Sequence, residues 1–404
     1  MKIQQQSARG RLKQMAGAAA GLAILAYGAA EPKAALAANG AVFTAAATTA
    51  QAVATRAYWT PQRLASAKPL YMTTAKTLSP ASGLAAAMGP TTVVPGASPS
   101  IAYDSAWAEE LLSLSGSSEV NPAAVGTTGP LYPYTIDRLY PCAGSGCPQS
   151  SSSYSNVFNF YPYAVVGQLF FTEPGGNFVC SASVIRLNVI ATAGHCVSDG
   201  KGHFYSNWLF IPAYHAGVAP FGRWSYAQVV VAGPWFNGGG GVPNRQDDAL
   251  IVLQQNSGQK IGQVTGYLGY QFNAQPTHLT QLGYPCNLDT SFGDCVQSIQ
   301  FGPIRDDSQV FAGPSNNFEW GSAAFGGASG GPEIQDFGQQ PLHPAGTPPS
   351  EVLGGNILIA STSYTYSASV QVDGASILAA PGQFGGSLNT FGDLINYVCA
   401  AGNC

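Results

Sequence analysis

The chain has 404 residues, of which 46% are hydrophobic and only 9% charged, against roughly 25% charged in an ordinary soluble protein. Its net charge is −4, and no Lys/Arg cluster offers an electrostatic footprint for phosphate, so a nucleic-acid partner is not expected. Aromatic residues at 11%, with 49 Gly and 28 Pro, exclude a mostly disordered chain and suit short strands joined by turns.

Lys2, Arg9, Arg11 and Lys13 precede the apolar stretch Met15 to Ala30, and small residues then offer cleavage sites after Ala30 or Ala37. This is the pattern of an export signal over residues 1–37. The stretch is mostly Ala and Gly and is shorter than the ~20 residues of a spanning helix, so no stable membrane anchor is expected. Arg9-Gly10-Arg11 interrupts a twin-arginine pair, which favours the general export route. A secreted protein, extracellular or periplasmic, follows from this reading. From Asn39 to Ser155 the chain is rich in Ala, Thr, Ser, Pro and Gly and includes linker. Two helices are predicted there. One is opened by Pro61 with Thr60 as its cap. The other runs from Ser105 to Leu114, with Trp107, Leu111 and Leu112 at helical spacing. The serine run Ser150 to Ser153 marks a boundary.

Beyond it, the short apolar runs Ala164 to Phe171, Val179 to Ile185, Gln228 to Val231, Ala249 to Leu253 and Gly355 to Ala360 alternate with turn residues. A single helix is predicted near the end, over Thr390 to Val398 with Thr390 as its cap. This texture predicts an all-β sandwich or barrel. Eight cysteines in an exported chain favour disulfides, and they fall into the local pairs Cys142/Cys147, Cys180/Cys196, Cys286/Cys295 and Cys399/Cys404. No Cys-x-x-Cys or His-x-x-x-His spacing supports a zinc site, so neither metal nor cofactor is expected.

Three motifs carry chemistry. In Ala191-Thr192-Ala193-Gly194-His195-Cys196, a histidine just past a strand end can reach a cleft as a general base, with an ordinary pKa suited to proton transfer at neutral pH. A disulfide from Cys196 to Cys180, sixteen residues earlier, would tie that strand to its neighbour. In Gly326-Gly327-Ala328-Ser329-Gly330-Gly331-Pro332, glycines around a serine permit the backbone angles and bare N–H groups that a nucleophile needs. In Asp247-Asp248-Ala249-Leu250, an acid at the mouth of an apolar strand can orient an imidazole. Adjacent strand residues point to opposite sides, so only one of the two aspartates can serve.

At these residues the chain resembles the chymotrypsin-like serine peptidases, which share Thr-Ala-Gly-His-Cys, Asp-x-Ala-Leu and Gly-x-Ser-Gly-Gly-Pro in this order. The segments Val166 to Phe171, Val179 to Val184 and Phe210 to Tyr214 look like secreted microbial members near the glutamyl endopeptidases. The resemblance implies two six-stranded Greek-key β-barrels with a C-terminal helix, preceded by a signal peptide and a pro-region. Residues 156–404 would be the peptidase domain. Tyr58-Trp59-Thr60-Pro61 resembles pro-regions of such enzymes, which implies a propeptide and linker over 38–155. It also implies a catalytic triad of His195, Asp247 and Ser329, with Asp247 selected over Asp248 by register. The oxyanion hole would be the N–H groups of Gly327 and Ser329, and the specificity pocket would include Ala323, Ala324 and Ser361. Ser361 is expected to hydrogen-bond Asp247. Protein or peptide substrates and a monomer are expected.

The departures from that pattern are informative. Ala328 stands where digestive members carry an Asp that pairs with a new N-terminus, so zymogen control must come from the pro-region shielding the cleft or delaying folding. Ala323 and Ala324 leave no acidic pocket floor for Lys or Arg. No pocket His of the glutamate-specific kind is evident either, so an uncharged side chain is expected before the scissile bond. Two alternatives stand beside this reading. One is a catalytically silent binding protein on a peptidase fold. The other is an α/β-hydrolase-type esterase, because Gly327-Ala328-Ser329-Gly330-Gly331 also fits Gly-x-Ser-x-Gly.

Overall fold

A computed structural model describes residues 35–36, 42–70, 72–74, 91–111, 157–215, 217–286, 304–313, 317–322, 324–338, 355–367, 370–384 and 389–404. Its first elements are β1 (Ala35–Leu36), β2 (Val42–Ala46), α1 (Thr49–Tyr58), α2 (Pro61–Ala65), β3 (Lys68–Pro69), β4 (Thr92–Val94) and β5 (Glu109–Glu110). Then come β6 (Val166–Glu173), β7 (Gly176–Val184), β8 (Val189–Thr192), β9 (Ser206–Pro212), β10 (Val218–Ala219), β11 (Trp224–Ala232), α3 (Gly233–Phe236) and β12 (Ala249–Leu253). After α4 (Ile261–Thr265) follow β13 (Gly269–Phe272), β14 (His278–Gly283), β15 (Ile304–Ala312), β16 (Asn317–Gly321) and β17 (Pro332–Gln335). The chain ends with β18 (Ile357–Ser367), β19 (Val370–Ile377) and α5 (Phe391–Ala400).

The predicted apolar runs lie in β6, β7, β11, β12 and β18. Hydrogen-bonded neighbours run β6-β7-β8-β12-β11-β9 and return to β6, closing one antiparallel barrel. A second closes as β14-β15-β16-β19-β18-β17. Closure leaves these strands no free edge. Two six-stranded barrels with a terminal helix are the chymotrypsin-like architecture. Alternating helices and a parallel sheet, which an α/β-hydrolase needs, are not how these strands pair, so the esterase alternative falls.

Burial follows from the packing. All five residues of β12 are buried, because α5 packs on the strand outside the barrel interior. The helix begins as predicted: Thr390 accepts from the N–H of Asp393, whose carboxylate accepts from the N–H of Thr390. The disulfides Cys180–Cys196 and Cys399–Cys404 are formed. Cys286 is also disulfide-bonded. Cys142, Cys147, Cys295, most of the export signal and the serine boundary lie outside the described residues. Among the described residues, no helix is long and apolar enough to cross a membrane.

The upstream segment departs from a plain linker. β2 extends the first barrel beside β11, placing Phe43 opposite Val231, and Phe43 stacks on Phe236 at 4.4 Å. Thr60 caps α2 as predicted by accepting from the N–H of Arg63. The helix expected from Ser105 does not form. Only Ser105–Trp107 turns, capped by Asp104, and Glu109–Glu110 then extend along β10. The physical reason is tertiary: Leu111 N–H donates to Gly217 O, and Arg223 pairs with Glu109 at 2.8 Å. Such contacts override a weak local propensity.

Trp59, 1% exposed, sits in the core of the first barrel, and its Nε1–H donates to Asn207 O at 2.7 Å. Replacing it, Trp59→Ala, opens a cavity and orphans that carbonyl, at an expected cost of about 3–5 kcal/mol. Denaturant unfolding of the full chain measures this. A loss below about 1 kcal/mol would mean the segment is not part of the fold's core.

Candidate active site

The site forms where the two barrels contribute loops. β8 ends at Thr192, and Gly194–Cys196 make a single turn that presents His195. The Cys180–Cys196 disulfide ties this turn to β7. β12 pairs with β8 so that Ala249 faces Thr192, which brings Asp247 alongside the turn. His195 N–H donates to Asp247 Oδ1 at 2.7 Å, and His195 Nδ1 lies 2.8 Å from Oδ2. The carboxylate thereby selects the tautomer with a proton on Nδ1, leaving Nε2 as the basic nitrogen. Ser363 of β18 donates its hydroxyl to the same Oδ2 at 2.5 Å. Asp247 is completely buried and His195 is 2% exposed. Gly194 is required because a Cβ there would lie 2.9 Å from the Trp235 ring and 3.0 Å from Asp247 Oδ1.

Asp248 goes elsewhere. Its buried carboxyl is pushed well above its ordinary value, by burial first and by the Asp247 charge second. Of the two adjacent acids, Asp247 is the one that touches His195.

Ser329 lies between β16 and β17, in a loop pressed against the first barrel. Ser329 O accepts from Ser181 N–H at 2.7 Å, and Ser181 Oγ donates to Gly327 O at 2.9 Å. Cys196, next to His195, makes a weak Sγ contact with Ser329 O at 3.7 Å. Gly330 has φ +78°, and a Cβ there would sit 2.1 Å from Thr192 Oγ1. Gly327 has φ +97°. Both glycines are therefore needed for backbone reasons. His195 Nε2 is buried and makes no hydrogen bond among the described residues.

A small pocket opens beside Ser329, lined by Ala324, Phe325, Ala328, Thr362, Tyr364, Thr365, Asp373 and Met72. Ala324 is among these lining residues, and Ala323 is outside the described residues. Ser361 is not in the lining. It pairs with Pro332 of β17, and the hydroxyl on Asp247 is that of Ser363, two residues on. A register shift between Thr362 and Tyr364 explains the error, since a bulge re-aims side chains in a way no spacing rule anticipates. Asp373 also corrects the expectation of a pocket without an acid. It lies on β19 opposite Thr365 and accepts from Gln281 Nε2 at 3.1 Å. No local motif surrounds it, and only the pairing of β18 with β19 reveals it.

The ligand atoms of Cys180, Cys196 and His195 lie within 4.8 Å of one another, but the two sulfurs are bonded to each other and are not thiolate ligands.

No protein-family model matches the chain. The chain is 24% identical over 160 residues to the glutamyl endopeptidase of Bacillus licheniformis, a match spanning 39% of this chain and 45% of that protein. Among solved structures it is similar to the protease Anisep from Arthrobacter nicotinovorans, at TM-score 0.43 and 24% identity, covering 54% of this chain and 91% of that one. It is also similar to a Glu endopeptidase, at TM-score 0.41 and 20% identity, covering 60% and 94%.

The raised Asp248 carboxyl has a consequence for stability. Folded, it holds its proton above the ordinary value of 3.8, whereas the unfolded chain releases it there. It therefore disfavours the fold increasingly as pH rises above 3.8 and not below. Asp248→Asn should raise the unfolding midpoint at pH 7 and lose that advantage below pH 3.8, as melts at both pH values will show.

Proposed function

We propose that this chain is a secreted serine endopeptidase with His195, Asp247 and Ser329 as its triad. His195 Nε2 takes the proton of Ser329 Oγ as that oxygen attacks a peptide carbonyl. The N–H groups of Gly327 and Ser329 stabilise the oxyanion, and His195 returns the proton to the departing amine. Water, deprotonated by His195, then attacks the acyl-enzyme and releases the carboxylic acid, with Ser329 regaining its proton. The single observation that carries this reading is the buried Asp247 carboxylate, committed to both the ring and the backbone of His195. A silent binding protein would have no need of a desolvated ion arranged to favour one tautomer.

Export over residues 1–37, a pro-region over 38–155 and a monomeric peptidase domain over 156–404 complete the proposal. The Cys180–Cys196 disulfide suits an oxidising compartment. Ser329→Ala or His195→Ala should lower kcat by about 10⁴-fold or more, and Asp247→Asn by about 10⁴-fold, while Asp248→Asn should keep most of its activity. Peptide hydrolysis by the processed protein measures this, and full activity in Ser329→Ala would end the proposal.

Asp373 bears on the substrate. A glutamate side chain in the pocket would meet a second carboxylate in a low-dielectric site, which is strongly unfavourable. A Lys or Arg would gain a charge-assisted partner. The relative's name, glutamyl endopeptidase, therefore does not carry over in specificity. Peptides with Lys or Arg before the scissile bond should be preferred over Glu, and Asp373→Asn should reduce that preference about 10- to 100-fold in kcat/KM. Unchanged ratios would remove Asp373 from the pocket's selectivity.

A further inference from the structure

Residues 68–70 lie against the first barrel and residues 72–74 against the second, and backbone hydrogen bonds fix their direction. Pro69 faces Val179 in the parallel pair β3–β7, and Leu70 N–H donates to Val179 O at 3.0 Å. Gly327 N–H, one of the two oxyanion donors proposed above, donates to Leu70 O at 3.0 Å. Further along, Thr365 N–H donates to Met72 O, and Thr74 N–H donates to Thr365 O, each at 3.0 Å. Met72 borders the pocket beside Ser329 and packs on the cluster of Tyr364, Tyr366 and Val372.

We propose that this strap is an intramolecular inhibitor threaded through the cleft opposite to the direction of a substrate. The inference rests on the serine peptidase reading. An acyl-enzyme retains the residues on the amino side of the attacked carbonyl, so a substrate lays those residues over the pocket. In the strap, Met72 borders the pocket and Met72 to Thr74 run along Thr365 of its lining, and they follow the carbonyl that meets Gly327. That carbonyl belongs to residue 70, while the pocket-side residue is 72. The strap thus occupies an oxyanion donor and the pocket rim together without offering a bond in the register for attack. It is also tethered on both sides. Trp59 and Leu64 are buried in the first barrel ahead of it, and β4 pairs with β13 after it. Tethering holds its effective concentration far above that of a free peptide. Ala328 provides no activation switch at the serine, and the strap supplies latency instead.

The test uses the full chain and a fluorophosphonate probe of Ser329. Thr74→Pro removes the N–H that bonds Thr365, and Met72→Gly removes the side chain at the pocket rim. Neither touches the triad. Each should be labelled about tenfold faster than the unaltered chain, the proline through a lost hydrogen bond and the glycine through lost apolar packing. Circular-dichroism melts confirm that both variants fold, and Met72→Gly carries the test if the proline does not. In the unaltered chain, amides of 72–74 and 325–331 should exchange slowly, and Met72→Gly should speed both together. Equal labelling of all forms overturns the strap alone. So does a Ser329-dependent cut between Leu70 and Tyr71, which would mean a substrate-like orientation. Folded chains that never label, with or without the substitutions, overturn the peptidase reading and the strap with it.

Discussion

The arrangement of the whole site depends on one buried carboxylate. Asp247 accepts from the backbone N–H of His195, from its ring and from the hydroxyl of Ser363, so three donors from two sequence regions converge on it. An ion this far from water costs several kcal/mol in lost hydration and persists only when hydrogen bonds replace that hydration. The β8–β12 register brings the acid to the turn of His195, and β18 brings the third donor from the second barrel. Asp247 is therefore a structural joint as well as the group that orients the imidazole. Its neighbour Asp248 lacks such compensation and responds by holding its proton.

The serine loop is fitted to this joint by hydrogen bonds to its backbone carbonyls rather than by apolar side-chain packing. Ser181 of β7 bonds the loop twice, through Ser329 O and Gly327 O. Thr192 comes so near Gly330 that no side chain could stand there. Loops from separate barrels can approach this closely only where side chains are absent, which is the physical demand behind the glycines.

The segment upstream of residue 156 has two roles that composition conceals. Through β2, α1 and Trp59 it packs on the first barrel, and through Leu70, Met72 and Thr74 it bonds Gly327 and Thr365 beside the serine loop. Its low complexity reads as linker because its partners are all distant in sequence. Phe43 lies on Phe236, Trp59 on Asn207, and Met72 beside Thr365.

The histidine turn and the serine loop were legible because the features that build them are local: a small turn after a strand, and glycines around a hydroxyl. The Thr390 cap and the Thr60–Pro61 helix start were legible for the same reason, since caps act within one helical turn. Asp247 needed a register argument, and the structure supplies its distance. Ser363 and Asp373 needed the tertiary structure outright. Both sit on the β18–β19 hairpin, whose register shifts twice, and each shift changes which side chains face inward. The helix expected at Ser105 failed because pairing with β10 outweighed its periodicity. Sequence alone thus determined where the histidine turn and the glycine-flanked serine loop lie, because short-range geometry dictates them. The folded chain decided which acid meets His195, which hydroxyl meets that acid and which acid borders the pocket beside Ser329, because those depend on contacts between strands far apart in sequence.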